Sequence, residues 1–76
     1  MNAQRRKAIN KLLDQIEDIQ SCIEMYRDKE AECCYNLPDS LLESERGDAM
    51  RNAITQLDDA SHLLDDVISY LEDAIQ

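Results

Sequence analysis

The residues with the greatest capacity for chemistry in this chain are its acids. Leu57-Asp58-Asp59-Ala60-Ser61, Leu64-Asp65-Asp66-Val67-Ile68 and Leu71-Glu72-Asp73-Ala74-Ile75 repeat one seven-residue unit. On a helix the paired carboxylates would rise along one face in steps of about 10.5 Å. Residues 52–76 hold these six acids and no base. The plain reading of such a ladder is a solvated outer face that keeps a small helical protein dispersed. The sharper reading is a partner-binding face of Asp58, Asp59, Asp65, Asp66, Glu72 and Asp73, which occupies a basic protein surface or imitates a phosphate backbone. Capture of a divalent cation is disfavoured, because acids two turns apart on one helix do not converge on one ion.

Other candidates are sparse. Cys33 and Cys34 supply two of the four ligands that structural zinc requires, and read instead as packing residues at a helix end. Cys22, one position before Ile23, reads as a small buried hydrophobe. His62 is the sole histidine and falls in the polar part of the repeat, away from every cysteine, so no Cys-His pair is expected. The chain has no glycine-rich phosphate loop and no metalloprotease helix signature. It is expected to be no enzyme and to use neither metal nor cofactor.

Composition narrows the classes further. Seventeen acids against eight bases give a formal net charge of −9, which opposes direct binding to nucleic acid or to an anionic membrane surface. No segment approaches the roughly 18 consecutive apolar residues of a membrane span. Three cysteines, two of them adjacent, with no secretory signal pattern at the start, point to reduced thiols and a cytoplasmic location. One Gly, one Pro and no Phe or Trp, beside abundant Leu, Ile, Ala, Asp, Glu and Gln, suit helices.

The elements that must position these residues are two amphipathic stretches. Ile9, Leu12, Ile16, Ile19, Ile23 and Tyr26 alternate steps of three and four; Glu30 interrupts, and Cys33 and Leu37 resume. Met50, Ala53, Leu57, Ala60, Leu64, Val67, Leu71 and Ala74 keep the same alternation unbroken. Pro38 disfavours helical geometry at Leu37 and removes a backbone donor. The spacing therefore predicts helix one over about 3–35, a linker over about 36–43 and helix two over about 44–75, within one domain. A start at Asp39 or Ser40 is the alternative to Ser44, which offers a capping hydroxyl. Gly47 in the first turn is the least comfortable residue of this assignment.

The expected fold is all-α, an antiparallel two-helix coiled-coil hairpin. With the turn centred near residue 40, Ile16 faces Leu64 and Ile23 faces Leu57. Arg5, Arg6, Lys7 and Lys11 then lie beside Asp65, Asp66, Glu72 and Asp73 and are neutralised internally. The apolar face exceeds what one seam needs, with Leu13, Ile54, Leu63, Ile68, Tyr70 and Ile75 on its flanks. At about 25 cal/mol per Å² of buried apolar area, that excess predicts pairing into a homodimeric four-helix bundle, or docking on another protein with a basic or apolar surface.

The opening Met1-Asn2-Ala3-Gln4-Arg5-Arg6-Lys7-Ala8-Ile9, the linker Asn36-Leu37-Pro38-Asp39-Ser40-Leu41 with Ser44-Glu45-Arg46-Gly47, and the acidic repeat resemble a group of small uncharacterised proteins encoded by bacteriophages and prophages. The resemblance spans nearly the whole chain, and the linker is its most specific part. It implies a phage-borne accessory protein that acts by binding in the host cytoplasm, a setting in which small acidic phage proteins often inhibit host nucleases or defence complexes. The architecture is also similar to the dimeric helical hairpin of the plasmid Rop protein, which binds RNA; the acidic surface here argues against the same ligand. The alternative expectation is a structural assembly or adaptor element with no inhibitory role.

Overall fold

The computed structural model describes all residues, Met1–Gln76. It is all-helical, with three helices and no strand: α1 (Ala3–Tyr35), α2 (Asp39–Leu42) and α3 (Glu45–Ala74). The two long helices fold back and pack against each other, and neither is long and apolar enough to cross a membrane.

Each helix boundary has a local cause. The Asn2 side chain accepts from the Arg5 amide at 2.8 Å, which caps α1. Nothing in Ala3–Tyr35 breaks a helix, and Pro38 disfavours helical geometry at Leu37, so α1 stops at Tyr35 with Asn36 as its cap. The expected irregular linker contains a helical turn of its own, α2, in which the Leu41 and Leu42 amides both donate to the Pro38 carbonyl at 2.9 Å. Both candidate starts of the second helix are therefore used, one after the other. Ser44 occupies the cap position of α3 without capping it, since its hydroxyl donates back to the Leu41 carbonyl. The acids Glu45 and Asp48 in the first turn of α3 favour that end of the helix electrostatically.

Gly47 has a positive reason to be glycine. A Cβ there would clash with the Leu42 carbonyl and fall 2.9 Å from the Leu41 carbonyl oxygen. The missing side chain is what lets α2 turn tightly onto the start of α3, and Gly47 is one of only four buried residues, with Leu13, Cys34 and Ser61.

The seam between the long helices differs from the expected one by a rotation. In α1 the covered residues are Ile9, Leu13, Ile16, Gln20, Ile23, Arg27 and Cys34, whereas Leu12, Ile19, Tyr26 and Cys33 are exposed. In α3 Met50, Ile54, Leu57, Ser61, Leu64, Ile68, Leu71 and Ile75 are covered to different degrees, whereas Val67 and Ala74 are exposed. In α1 half of the predicted stripe is thus inside and the other half is displaced by its neighbour one position later, whereas in α3 Ala53 and Ala60 stay half-covered and only Val67 and Ala74 turn outward. The physical cause lies in α3, where Ile54, Ile68 and Ile75 bury more apolar area than Ala53, Val67 and Ala74 would. Leu13, Ile54, Ile68 and Ile75, expected on the partner-facing flanks, belong to the hairpin's own interior. Cys22 is exposed, not buried, and of the adjacent pair only Cys34 packs.

The register is shifted as well. Gln20 bonds to Ser61 and Asp65, Ser61 to Glu24, and Arg27 to Asp58, which centres the fold-back near Leu41 and Leu42, where α2 lengthens the connection. The far end of the chain, Glu72, Ile75 and Gln76, meets Asn10, Leu13 and Glu17 in a shallow groove. The first turns of α1 run on past it, so Arg5, Arg6, Lys7 and Lys11 are exposed and take part in none of the structure's ion pairs. The expected internal neutralisation of this basic cluster does not occur.

The resulting rod measures 58 × 15 × 12 Å across its Cα atoms and exposes 5801 Å². A chain of 8.8 kDa folded into a compact monomer would expose about 4,800 Å². Replacing Gly47 by Ala should lower the urea unfolding midpoint, followed by circular dichroism at 222 nm, by the equivalent of about 1–3 kcal/mol, the usual cost of forcing atoms into a closed contact. A gain of about 1 kcal/mol, as helix propensity alone would give, would show that the corner is not packed this way.

Candidate functional site

Cross-links between the helices divide the hairpin into two unlike sides. On one side a polar cluster spans the seam. The Gln20 side-chain amide donates to the Ser61 carbonyl at 2.8 Å and to Asp65 Oδ1 at 2.6 Å. The Ser61 hydroxyl, on a residue only 4 % exposed, donates to Glu24 Oε1 at 2.9 Å. Arg27 reaches Asp58 at 2.8 Å and Asp28 at 3.2 Å. The bond to Asp58, then that to Asp28, raises the Arg27 pKa further above its ordinary value. No buried side-chain polar atom is left without a partner.

This cluster changes the meaning of the acidic ladder. Asp58, half-buried, and Asp65, exposed at the edge of the seam, both bond to α1 and tie α3 to it. Asp59, Asp66 and Asp73, each one residue later, are exposed and free of ion pairs, and Glu72 borders the groove at the open end. The ladder therefore resolves into an inner column engaged in folding and an outer column presented to solvent. Asp59, Asp65 and Asp66 line a shallow depression with His62 and Leu63. His62 Nδ1 sits 2.9 Å from the Asp58 carbonyl oxygen and 3.5 Å from Asp58 Oδ2, one turn earlier on the same helix. No group of three or more His, Cys, Asp and Glu side chains is gathered as a metal site would require.

The opposite side is apolar. Since Glu24 and Arg27 of α1 meet Ser61 and Asp58 of α3 on the polar side, the residues just preceding the covered stripe lie together on the other. These are Leu12, Ile19, Tyr26 and Cys33 from α1, and Ala53, Ala60, Val67 and Ala74 from α3. Leu63 and Tyr70 adjoin them and are 65 % and 76 % exposed; of the six residues expected on the partner-facing apolar surface, only these two remain available. Lys29 lies over the Tyr26 ring at 5.5 Å, a cation–π contact at the rim.

Periodicity did not single out Gln20, Glu24, Arg27 or Ser61, although Gln20 and Arg27 stand seven residues apart in register with Leu13 and Cys34. Comparison of the chain with family models, with curated proteins and with solved structures finds no match.

The division into inner and outer acids is testable by thermal melts. Asp58→Ala should lower the midpoint, whereas Asp59→Ala and Asp66→Ala should leave stability within about 0.5 kcal/mol of the parent, as for unengaged surface residues. Equal losses at Asp58 and Asp59 would erase the distinction.

Proposed function

We propose that this chain is a non-enzymatic, phage- or prophage-borne accessory protein that pairs with itself into a four-helix bundle and binds another protein through its outer acids. The observation that carries the self-pairing is surface area. The chain exposes 5801 Å², about 1,000 Å² beyond a compact monomer of its mass, and a stable protein interface buries about 800 Å² from each partner. Support for the second part comes from the outer column of Asp59, Asp66 and Asp73 with Glu72, which is exposed, unpaired and borne on a long helix. A rigid row of carboxylates steers and orients a basic surface more than it adds raw affinity. The partner class that fits is a host nucleic-acid-handling or defence factor whose own ligand is a polyanion, and the resemblance to phage-encoded proteins favours that setting. A protein of this kind acts by occupancy and needs no cofactor.

Two measurements test the reading. Light scattering on the purified protein should give twice 8.8 kDa. Affinity capture from the host, with mass spectrometry, should recover a protein with a basic surface, and Asp59→Lys with Asp66→Lys and Asp73→Lys should cut its recovery at least about tenfold, a loss of about 1.4 kcal/mol, with the helical spectrum unchanged. Undiminished recovery by the triple variant would overturn the acidic-face assignment and leave an assembly or adaptor role.

A further inference from the structure

The apolar side of the hairpin differs from the rest of the surface in one respect that bears on what covers it. From Leu12 to Cys33, its residues on α1 are Leu12, Ile19, Tyr26 and Cys33, with Gln15, Cys22 and Lys29 along the outer edge. From Ala49 to Ala74 of α3 they are Ala53, Ala60, Val67 and Ala74, edged by Ala49, Gln56, Leu63 and Tyr70. Not one is acidic, in a chain with seventeen acids. The ends of the rod are charged in opposite senses. Residues 1–11 carry four bases and no acid; Arg5, Arg6 and Lys7 lie beyond the groove in which Asn10 meets Ile75 and Gln76, and none of the four bases is in an ion pair. Residues 30–48, around the turn, carry six acids and one base: Glu30, Glu32, Asp39, Glu43, Glu45 and Asp48, opposed only by Arg46.

We propose that the apolar side is the face on which a second copy of this chain docks, and that the two copies lie head to tail, the basic projection of each resting against the acidic turn of the other. The inference rests on the self-pairing reading and specifies its face and direction. A twofold axis across the rods between Ile19 and Tyr26 sets α1 on the partner's α1 in antiparallel, Ile19 level with Tyr26 and Leu12 level with Cys33 of the other copy. The α3 helices meet along their alanines, which allow close approach. Arg5 continues the Leu12–Ile19–Tyr26 ridge by one more heptad and comes level with the partner's α2, beside Asp39. The parallel alternative, with both turns at one end, buries the same side but sets four bases beside four bases and six acids beside six acids. Repulsion between like charges in an interface selects against it.

The three cysteines distinguish the arrangements. In the head-to-tail dimer Cys22 lies close to the axis, at the edge of the α1–α1 contact, and the two copies of Cys22 are level with each other, while Cys33 is far from its twin. In the parallel dimer the two copies of Cys33 share one layer and the two copies of Cys22 sit on opposite outer edges. The experiment is to treat two variants with a short bis-maleimide under native conditions, Cys33→Ser with Cys34→Ala, which keeps only Cys22, and Cys22→Ser with Cys34→Ala, which keeps only Cys33. Light scattering and circular dichroism are run on both and on the parent.

A covalent dimer from the Cys22-only protein, with at least about tenfold less from the Cys33-only protein, is the expected result. The reverse pattern, or equal yields, or no covalent dimer from either folded dimeric variant, overturns the head-to-tail arrangement and leaves self-pairing standing. A parent that scatters as 8.8 kDa at high concentration overturns the self-pairing reading and this inference with it.

Discussion

The structure depends on a small polar cluster at the middle of an otherwise greasy seam. Gln20, Glu24 and Arg27 of α1 engage Asp58, Ser61 and Asp65 of α3 through four hydrogen bonds of 2.6–2.9 Å. Leucine and isoleucine contacts are non-directional and tolerate sliding and rotation of one helix on the other. Buried and half-buried polar groups do not, because a misaligned donor or acceptor loses its partner and keeps its desolvation cost. A polar residue within a helical seam is a known means of fixing register, at some cost in stability. The cluster fixes the axial register here and, together with the burial of Ile54, Ile68 and Ile75, the rotation of the two helices.

From that rotation the remaining features follow. Turning Gln20 and Arg27 inward turns Ile19 and Tyr26 outward, and the corresponding turn of α3 presents Val67, Ala60 and Ala74 on the same side. The axial register, lengthened at the connection by α2 and held at its corner by Gly47, leaves the first turns of α1 without a neighbour. Asp58 and Asp65 are engaged in the cluster, so the threefold repeat of paired acids is divided between holding the fold and facing solvent.

Element type and the position of the break were legible in the sequence. Heptad spacing, the absence of Phe and Trp and Pro38 suffice for two long helices joined by a short connection. The rotation was not legible, because the two helices point different ways when read alone. In α1 the apolar choice is Leu12, Ile19 and Tyr26 over Leu13, Gln20 and Arg27, and a hydrophobic pattern selects the stripe that the structure leaves outside. In α3 two apolar stripes compete: the isoleucines are covered, Val67 and Ala74 are left outside, and Ala53 and Ala60 are half-covered. Only when both helices are considered together does the polar stripe of α1 find acceptors and donors on α3 at matching levels. The same limit applies to the acids. Asp58 and Asp59 are adjacent and chemically identical in sequence, and 100° of helical rotation is all that separates a structural ion pair from a free carboxylate.

The rotation also keeps self-pairing and the outer acids from competing for surface. Asp59, Asp66 and Asp73 lie on the far side of α3 from α1, so covering the apolar side leaves them exposed. In a head-to-tail stack the α3 helices of both copies occupy the same flank, and their outer columns run side by side in opposite directions. Six carboxylates would then share one flank, spaced about 10.5 Å apart along each column, so that only neighbouring acids lie within about a Debye length of one another at physiological salt. Stacking like charges this way costs energy in isolation. The apolar contact and the attraction between each basic projection and the opposite turn offset it, and a basic partner relieves it on arrival. If the hairpins pair as proposed, two rows of acids would lie on one flank where a lone hairpin presents one.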